Sequence, residues 1–184
     1  MSFNKVVKYL IAFSAITVVG IAGFYFVKKE QPGKHESKKL PTGVKAYKVI
    51  VYKKDRKMML IKGEEILKEY DISLGSNPVG HKQMEGDSKT PEGKYILDWR
   101  NPNSKFHLSL HISYPNETDR TYANELNVSP GGDIMIHGFP NGMGWNSGYY
   151  TSTDWTDGCI AVTDEEIEEI WNAVDDGTEI EIFP

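Results

Sequence analysis

The chain has 184 residues, of which 39% are hydrophobic and 26% charged, and its formal net charge is -5. This length suits one ordinary domain with an appendage and is too short for two comfortable domains. The negative charge leaves no basic stripe to neutralise phosphates, so we expect no nucleic-acid partner, while the oligomeric state is left open.

The first predicted element is an apolar helix at residues 9–27, which follows a short cytoplasmic start at residues 1–8. Residues 9–27 carry no charge, and a helix of this length spans about 28 Å, close to the thickness of a hydrocarbon core. Lys5 and Lys8 precede it and favour an internal N-terminus. We expect a signal anchor in the inner (cytoplasmic) membrane, with the domain periplasmic or extracytoplasmic. A cleaved signal peptide is the alternative.

A flexible linker is predicted next, at residues 28–44, which are rich in lysine, proline and glycine. The remaining residues, 45–184, form one mostly β domain. Its first strands are β-rich segments at 47–52 and 57–61 on either side of a Lys-Asp-Arg turn, which together predict a hairpin.

Three further strands and one helix follow. Residues 106–114 alternate with period two, so that His107, Ser109 and His111 share one face. Short apolar strands are expected at 134–136, ending at His137, and at 178–183. A single late helix is predicted after Thr163, because Thr163 and Glu166 form a capping-box pair and apolar residues then recur at helical spacing.

The candidate catalytic residues are Cys159 and His137. Cys159 is the only cysteine of the chain, and it follows a glycine, so the backbone can turn sharply and leave amide groups near the sulfur to stabilise an oxyanion. A thiol nucleophile needs an adjacent base, and neighbouring strands joined by a long loop would supply His137. A buried core cysteine and a strand-capping histidine are the alternatives.

The motifs His137-Gly138 and Thr156-Asp157-Gly158-Cys159 resemble those of the L,D-transpeptidase catalytic domain of bacterial cell walls. That family has a His-Gly followed, at variable spacing, by Ser/Thr-His-Gly-Cys. The segment Thr90-Pro91-Glu92-Gly93 is similar to its Thr-Pro-x-Gly turn. The resemblance covers about residues 47–184. Asp157 stands in place of the second histidine, which marks a branch with Thr-Asp-Gly-Cys.

The resemblance implies a β-sandwich and a mechanism without metal or cofactor. His137 takes the proton of Cys159, and the thiolate attacks a peptidoglycan stem peptide at the carbonyl that precedes D-Ala. D-Ala leaves, and an amine resolves the thioester, giving cross-linking or protein attachment. Resolution by water, in a peptidoglycan hydrolase, is the alternative. Backbone amides at Gly158 and Cys159 are implied to hold the oxyanion, and a backbone carbonyl to orient His137.

Six further residues are candidates for substrate binding, and each has a structural alternative. The alternative to substrate binding is a role in loop structure for His81 and a place on a solvated strand face for Ser109. For Trp155 it is ordinary packing, and for Asp157 a simple turn. The full set is His81, Ser109, Gly138, Trp155, Thr156 and Asp157.

Two other classes of protein remain open. A zinc peptidase would draw on His81, His107, His111 or His137, but the sequence contains no His-Glu-x-x-His motif. A non-catalytic module that binds the cell wall would leave the thiol of Cys159 inert.

Overall fold

The computed structural model describes residues 39–184, so the predicted anchor at residues 9–27 and most of the predicted linker lie outside the described part. Within residues 39–184, no helix combines the length and apolar character needed to cross a bilayer. The eight strands are β1 (Lys48–Tyr52), β2 (Lys57–Lys62), β3 (Glu65–Asp71), β4 (Gly93–Ser104), β5 (His107–Ile112), β6 (Met135–His137), β7 (Ile160–Ala161) and β8 (Thr178–Phe183). The helices are α1 (Glu117–Glu125), α2 (Ser147–Tyr150) and α3 (Asp164–Ala173), with a short 3-10 turn at Gly144–Asn146.

The strands hydrogen-bond into one sheet in the order β3-β2-β1-β8-β4-β5-β6-β7. The predicted β1–β2 hairpin is confirmed, with Tyr52 opposite Lys57. The mostly β class is also confirmed, but the strands form a single curled sheet where two facing sheets were expected. The parallel pairs β1–β8 and β6–β7 break an otherwise antiparallel arrangement.

The predicted late helix is α3, and its capping box is present. Thr163 N–H donates to Glu166 Oε2 over 2.9 Å, and Glu166 N–H donates to Thr163 Oγ1 over 3.2 Å. Ile167 and Ile170 are fully buried, and α3 packs against β5 and β6. The expectation of only one helix was wrong, because α1 and α2 are also present. They bury little apolar surface, so hydrophobic spacing did not predict them.

The hydrophobic core is formed largely by buried residues of the strands, together with α3. Val49 of β1, Leu60 of β2 and Ile180 of β8 are all fully buried. They alternate with half-buried or exposed residues, following the period of two of a strand with one buried face. Leu40, before the first strand, packs against the same core.

Candidate active site

Strands β6 and β7 bring the two candidate catalytic residues to one face of the sheet. They pair in parallel, with Ile136 opposite Ile160 and His137 opposite Ala161. Ile136 and Ile160 point into the core and are fully buried. Because side chains alternate along a strand, His137 and Cys159, one residue away from these isoleucines, project from the other face. The neighbouring strands that the sequence predicted for this pair are therefore present.

The turn before Cys159 requires glycine for two reasons. Gly158 has φ +128°, a conformation that side chains disfavour. In addition, a Cβ atom at Gly158 would lie 2.6 Å from Lys89 O. Gly75 sits in the same contact, since its Cβ would lie 2.1 Å from Ser88 O and 3.0 Å from Gly158 Cα. The backbone at Ser88 and Lys89, just before the Thr-Pro segment, therefore packs directly against the turn that precedes Cys159.

Thr156 closes the turn through its hydroxyl. Thr156 Oγ1 donates to Cys159 O over 2.8 Å and accepts from Gly158 N–H over 3.1 Å. The Gly158 amide, predicted to stabilise an oxyanion, is thus already bonded within the turn. The Cys159 amide, by contrast, donates to no protein acceptor within residues 39–184. Cys159 N–H is the amide that the turn leaves free for an incoming oxygen.

The His137 ring is held in one orientation, with one nitrogen free. Its Nδ1 donates to Gly138 O over 2.7 Å, so Nε2 carries the lone pair. No side-chain nitrogen or oxygen in the described part is both buried and unpaired. Since Nε2 has no protein partner there, it is not fully buried, although the residue as a whole is only 3% exposed. The ring packs against Phe106, with centroids 4.5 Å apart, and against Trp155 at 5.6 Å.

Burial makes the resting pair electrically neutral. His137 is only 3% exposed, and loss of solvent lowers the pKa of its imidazole from 6.5 to about 4, against a smaller opposing effect of the bond to Gly138. Loss of solvent likewise raises the pKa of the Cys159 thiol from 9.0 to about 11. Near pH 7 the site therefore holds an uncharged base and a protonated thiol.

The thiol is bound by the strand next to it. Met135 N–H donates to Cys159 Sγ over 3.4 Å, and Sγ lies 3.7 Å from Asp133 O, within reach of a weak S–H donor. Within residues 39–184 no hydrogen bond joins Sγ to His137. The two groups share a face, but the thiol hydrogen must turn away from Asp133 before it reaches the ring.

Four predicted substrate-binding residues surround this pair. Ser109 on β5 lies opposite His137 in the β5–β6 register and is buried. Gly138 accepts the bond from His137 and leaves no space for a side chain, because its Cβ would lie 2.6 Å from Asp164 Oδ1. Trp155 covers the ring, and Thr156 shapes the turn. The roles of these four residues toward a substrate stay predictions.

The other two predicted residues are placed differently. Asp157 is exposed, and its charge contributes to raising the pKa of the Cys159 thiol. His81 lies in a separate polar cluster, where its Nδ1 accepts from Glu92 N–H over 2.9 Å and its Nε2 lies 3.1 Å from Asp119 Oδ1. Its hydrogen bonds therefore join the Thr-Pro segment to α1 rather than reaching the Cys159–His137 pair.

The histidines of β5 do not converge on a metal site. His107 Nε2 lies 2.8 Å from Glu168 Oε1, whereas His111 Nδ1 lies 2.6 Å from Asp98 Oδ1. Within residues 39–184, no three histidine, cysteine or acidic side chains cluster as metal ligands would.

Sequence reasoning missed three contributors to the site. Phe106 stacks on His137, Met135 supplies the amide that binds the thiol, and Lys82 is a buried cation whose charge partly offsets the raised pKa of Cys159. Lys82 Nζ donates to Asp87 Oδ1 over 2.8 Å. Of these three residues, only Phe106 could have been found from the sequence, because it begins the alternating strand that pairs with β6. The contacts of Met135 and Lys82 depend on strand register and loop path.

Comparison with known proteins identifies relatives of most of the described domain. A family model described as YkuD, the L,D-transpeptidase catalytic domain, matches residues 46–182. YafK from Escherichia coli strain K12 is 32% identical over 131 residues, which cover 67% of this chain and 45% of YafK. The chain therefore spans about half the length of this curated relative.

Two solved structures share the fold and part of the sequence. The helical cell shape determining protein Pgp2 from Campylobacter jejuni is 26% identical with a TM-score of 0.58, and the match covers 78% of this chain and 50% of Pgp2. Bd1075 from Bdellovibrio bacteriovorus is 28% identical with a TM-score of 0.52, covering 76% of this chain and 48% of Bd1075.

Proposed function

Because the chain belongs to the YkuD family of L,D-transpeptidase catalytic domains, we propose that it is a cell-wall L,D-transpeptidase with Cys159 as nucleophile and His137 as general base. The observation that carries this proposal is the arrangement of three groups at one site. They are a neutral imidazole with Nε2 open, a thiol on the same face and an unpaired amide at Cys159.

The reaction begins with proton transfer from the thiol to His137. The S–H group rotates from Asp133 O toward Nε2, which takes the proton because the bond from Nδ1 to Gly138 O fixes the tautomer. Sulfur then bonds to the stem-peptide carbonyl carbon that precedes D-Ala. The C–N bond to D-Ala breaks, its nitrogen receives the proton from His137, and a thioester remains.

An amine from a second stem, or from a protein, resolves the thioester. Its nitrogen bonds to the carbonyl carbon, its proton passes to Nε2, and the sulfur leaves as thiolate to regain that proton. The oxyanion formed in each half-reaction lies against Cys159 N–H. Gly158 N–H contributes only when its bond to Thr156 Oγ1 opens or is shared.

The cellular setting belongs to the same proposal. The apolar segment at residues 9–27 anchors the chain in the inner membrane, and the domain acts in the cell envelope, where stem peptides occur. Pgp2 is described as determining helical cell shape, so we extend an influence on cell shape to this protein.

The test uses the full chain with a tetrapeptide stem that ends in D-Ala, alone and with an acceptor amine. Wild-type protein should release D-Ala and show the mass of the thioester. Cys159→Ala should release none, while Thr118→Ala, an exposed substitution on α1, should match wild type. D-Ala release by Cys159→Ala at the wild-type rate would contradict the proposal. The mass of the final product shows whether an amine or water resolves the thioester.

A further inference from the structure

The loop between His137 and Cys159 presents a surface without charge. Residues 139–153 contain no Asp, Glu, Lys or Arg, although 26% of the whole chain is charged. Most of these residues are exposed, among them Trp145 at 78% and Tyr149 at 51%. A tryptophan this exposed leaves a large apolar surface in water, which singles the loop out as a surface to be covered by a ligand.

Ring contacts join this surface to the candidate active site. The rings of Tyr149 and Tyr150 are 5.2 Å apart, and those of Tyr150 and Trp155 are 4.9 Å apart. Trp155 in turn contacts His137 at 5.6 Å. Tyr149 is therefore connected through Tyr150 and Trp155 to the residues that surround His137, and Trp145 lies four residues before Tyr149 in the same loop.

Hydrogen bonds fix the loop against the domain. Asn141 Nδ2 donates to Ser104 O over 3.0 Å, and Asn141 Oδ1 accepts from His107 N–H over 2.8 Å. Near the other end of the loop, Ser73 Oγ donates to Tyr150 O over 2.7 Å. A surface held in this way binds without a large cost of ordering.

We propose that Trp145, Tyr149 and the neutral residues around them form a subsite for the glycan strand that carries the stem peptide. This inference rests on the proposed function. Pyranose rings offer apolar C–H faces to aromatic rings, and their hydroxyl and N-acetyl groups match amide and hydroxyl side chains. An N-acetylated sugar with its lactyl group amidated is uncharged, as is the loop. An anionic membrane or nucleic acid would instead require lysine or arginine here.

The first test compares two substrates of the full chain, a bare tetrapeptide stem and the same stem on its N-acetylated disaccharide. Wild type should show a KM about tenfold lower for the disaccharide-linked stem, corresponding to about 1.4 kcal/mol. Trp145→Ala should remove this advantage and leave kcat unchanged, and Trp145→Phe should restore part of it. The matched control is Trp99→Ala, which removes an exposed tryptophan stacked on His111 and should keep the full advantage.

Equal KM values for both substrates in wild type would overturn the subsite. So would a Trp145→Ala variant in which the KM rises equally for the bare and the linked stem.

A binding measurement separates this inference from the proposed activity. Tryptophan fluorescence is titrated with an N-acetylglucosamine tetrasaccharide, which needs no reaction. A saturable change that disappears in Trp145→Ala supports the subsite even if no D-Ala is released from either stem. Absence of any change, or binding to neutral phosphatidylcholine vesicles that depends on Trp145, would overturn the glycan assignment.

Discussion

The sheet has a more regular half, made of β3, β2, β1 and β8, and a less regular half, made of β4, β5, β6 and β7. The regular half has one register shift, between Leu60 and Ile61 in the β2–β3 pair. In this half, β1 and β8 pair without interruption from Lys48–Glu179 to Tyr52–Phe183. In the other half, the β4–β5 register shifts twice, between Leu97 and Arg100 and between Asn101 and Ser104. Strands β6 and β7 there have only three and two residues. The catalytic candidates lie in the irregular half, because short strands end early and leave turns and loops around the ends of β6 and β7.

The two halves also differ in the polar side chains that they bury. Both bury aliphatic residues, such as Val49 in the regular half and Ile136 in the irregular half. The strands of the irregular half also bury the polar residues Ser104, Ser109 and His137, compared with Thr178 on β8 in the regular half. Burying polar groups costs free energy unless they are paired. We therefore infer that aliphatic packing in the regular half supplies much of the free energy of folding and offsets the cost of burying polar residues at the candidate site.

The largest expected effect is on turnover, in the irregular half. His137→Gln should lower kcat for D-Ala release by about 1,000-fold, because the general base is lost. His111→Gln, on β5 but paired with Asp98, is the control and should stay within about threefold of wild type. Steady-state kinetics measures both variants. If His111→Gln lowers kcat as much as His137→Gln does, the assignment of His137 alone as general base is contradicted.

The next effect is on stability, in the regular half. Ile180→Ala truncates a fully buried side chain on β8 and should lower the free energy of unfolding by about 2–5 kcal/mol. The folded fraction should keep the wild-type kcat. Urea unfolding is the measurement, with exposed Glu179→Ala as control, expected within about 0.5 kcal/mol. If the folded Ile180→Ala protein has a kcat clearly below the wild-type value, packing in the regular half also affects the candidate active site, and the two halves do not act independently.

A smaller effect is expected at the turn, where stability and activity should change together. Thr156→Val keeps the shape but leaves Gly158 N–H without an acceptor and Cys159 O without a donor. The variant should lose about 1–3 kcal/mol of stability together with D-Ala release. Thr156→Ser retains the hydroxyl and should preserve both. If Thr156→Val keeps the wild-type stability and D-Ala release, the backbone contacts of Gly158 and Gly75 are sufficient to hold the turn.

The smallest expected effect is that of pH near 7, because His137 and Cys159 are both uncharged there. Because burial lowers the pKa of His137 to about 4, the base stays unprotonated above that pH, and kcat/KM should fall only as the pH drops through about 4. Because burial raises the pKa of Cys159 to about 11, the rate of iodoacetamide alkylation should keep rising beyond pH 9. An alkylation plateau below pH 8 would indicate a thiolate–imidazolium pair instead.

Sequence reasoning was most successful where a local pattern determines the structure. The β1–β2 hairpin, β8 and the Thr163–Glu166 capping box follow from alternation or from residues three positions apart. Helix α1 was missed because only Ala123 and Asp119 are buried along it, which leaves too little apolar periodicity.

For the site, the sequence indicated that two adjacent strands could bring His137 and Cys159 together, since His137 ends one short apolar segment and Cys159 leads into another. The partners of the thiol could not be predicted, because Met135 and Asp133 reach it only through the β6–β7 register. The hydrogen bond from the Gly158 amide to Thr156 likewise depends on how the turn closes.

The position of β8 has a consequence for how the domain assembles during synthesis. β8 is the last strand to leave the ribosome, yet it is fourth in the sheet and separates β1 from β4. Until it emerges, the edges of β1 and β4 that it later covers stay unpaired, and the two strand groups can meet only at the other end of the sheet, where Ser73 bridges Ala161. The hydrogen bonds that β8 makes to β1 and to β4 therefore form only after residues 178–183 have been synthesised.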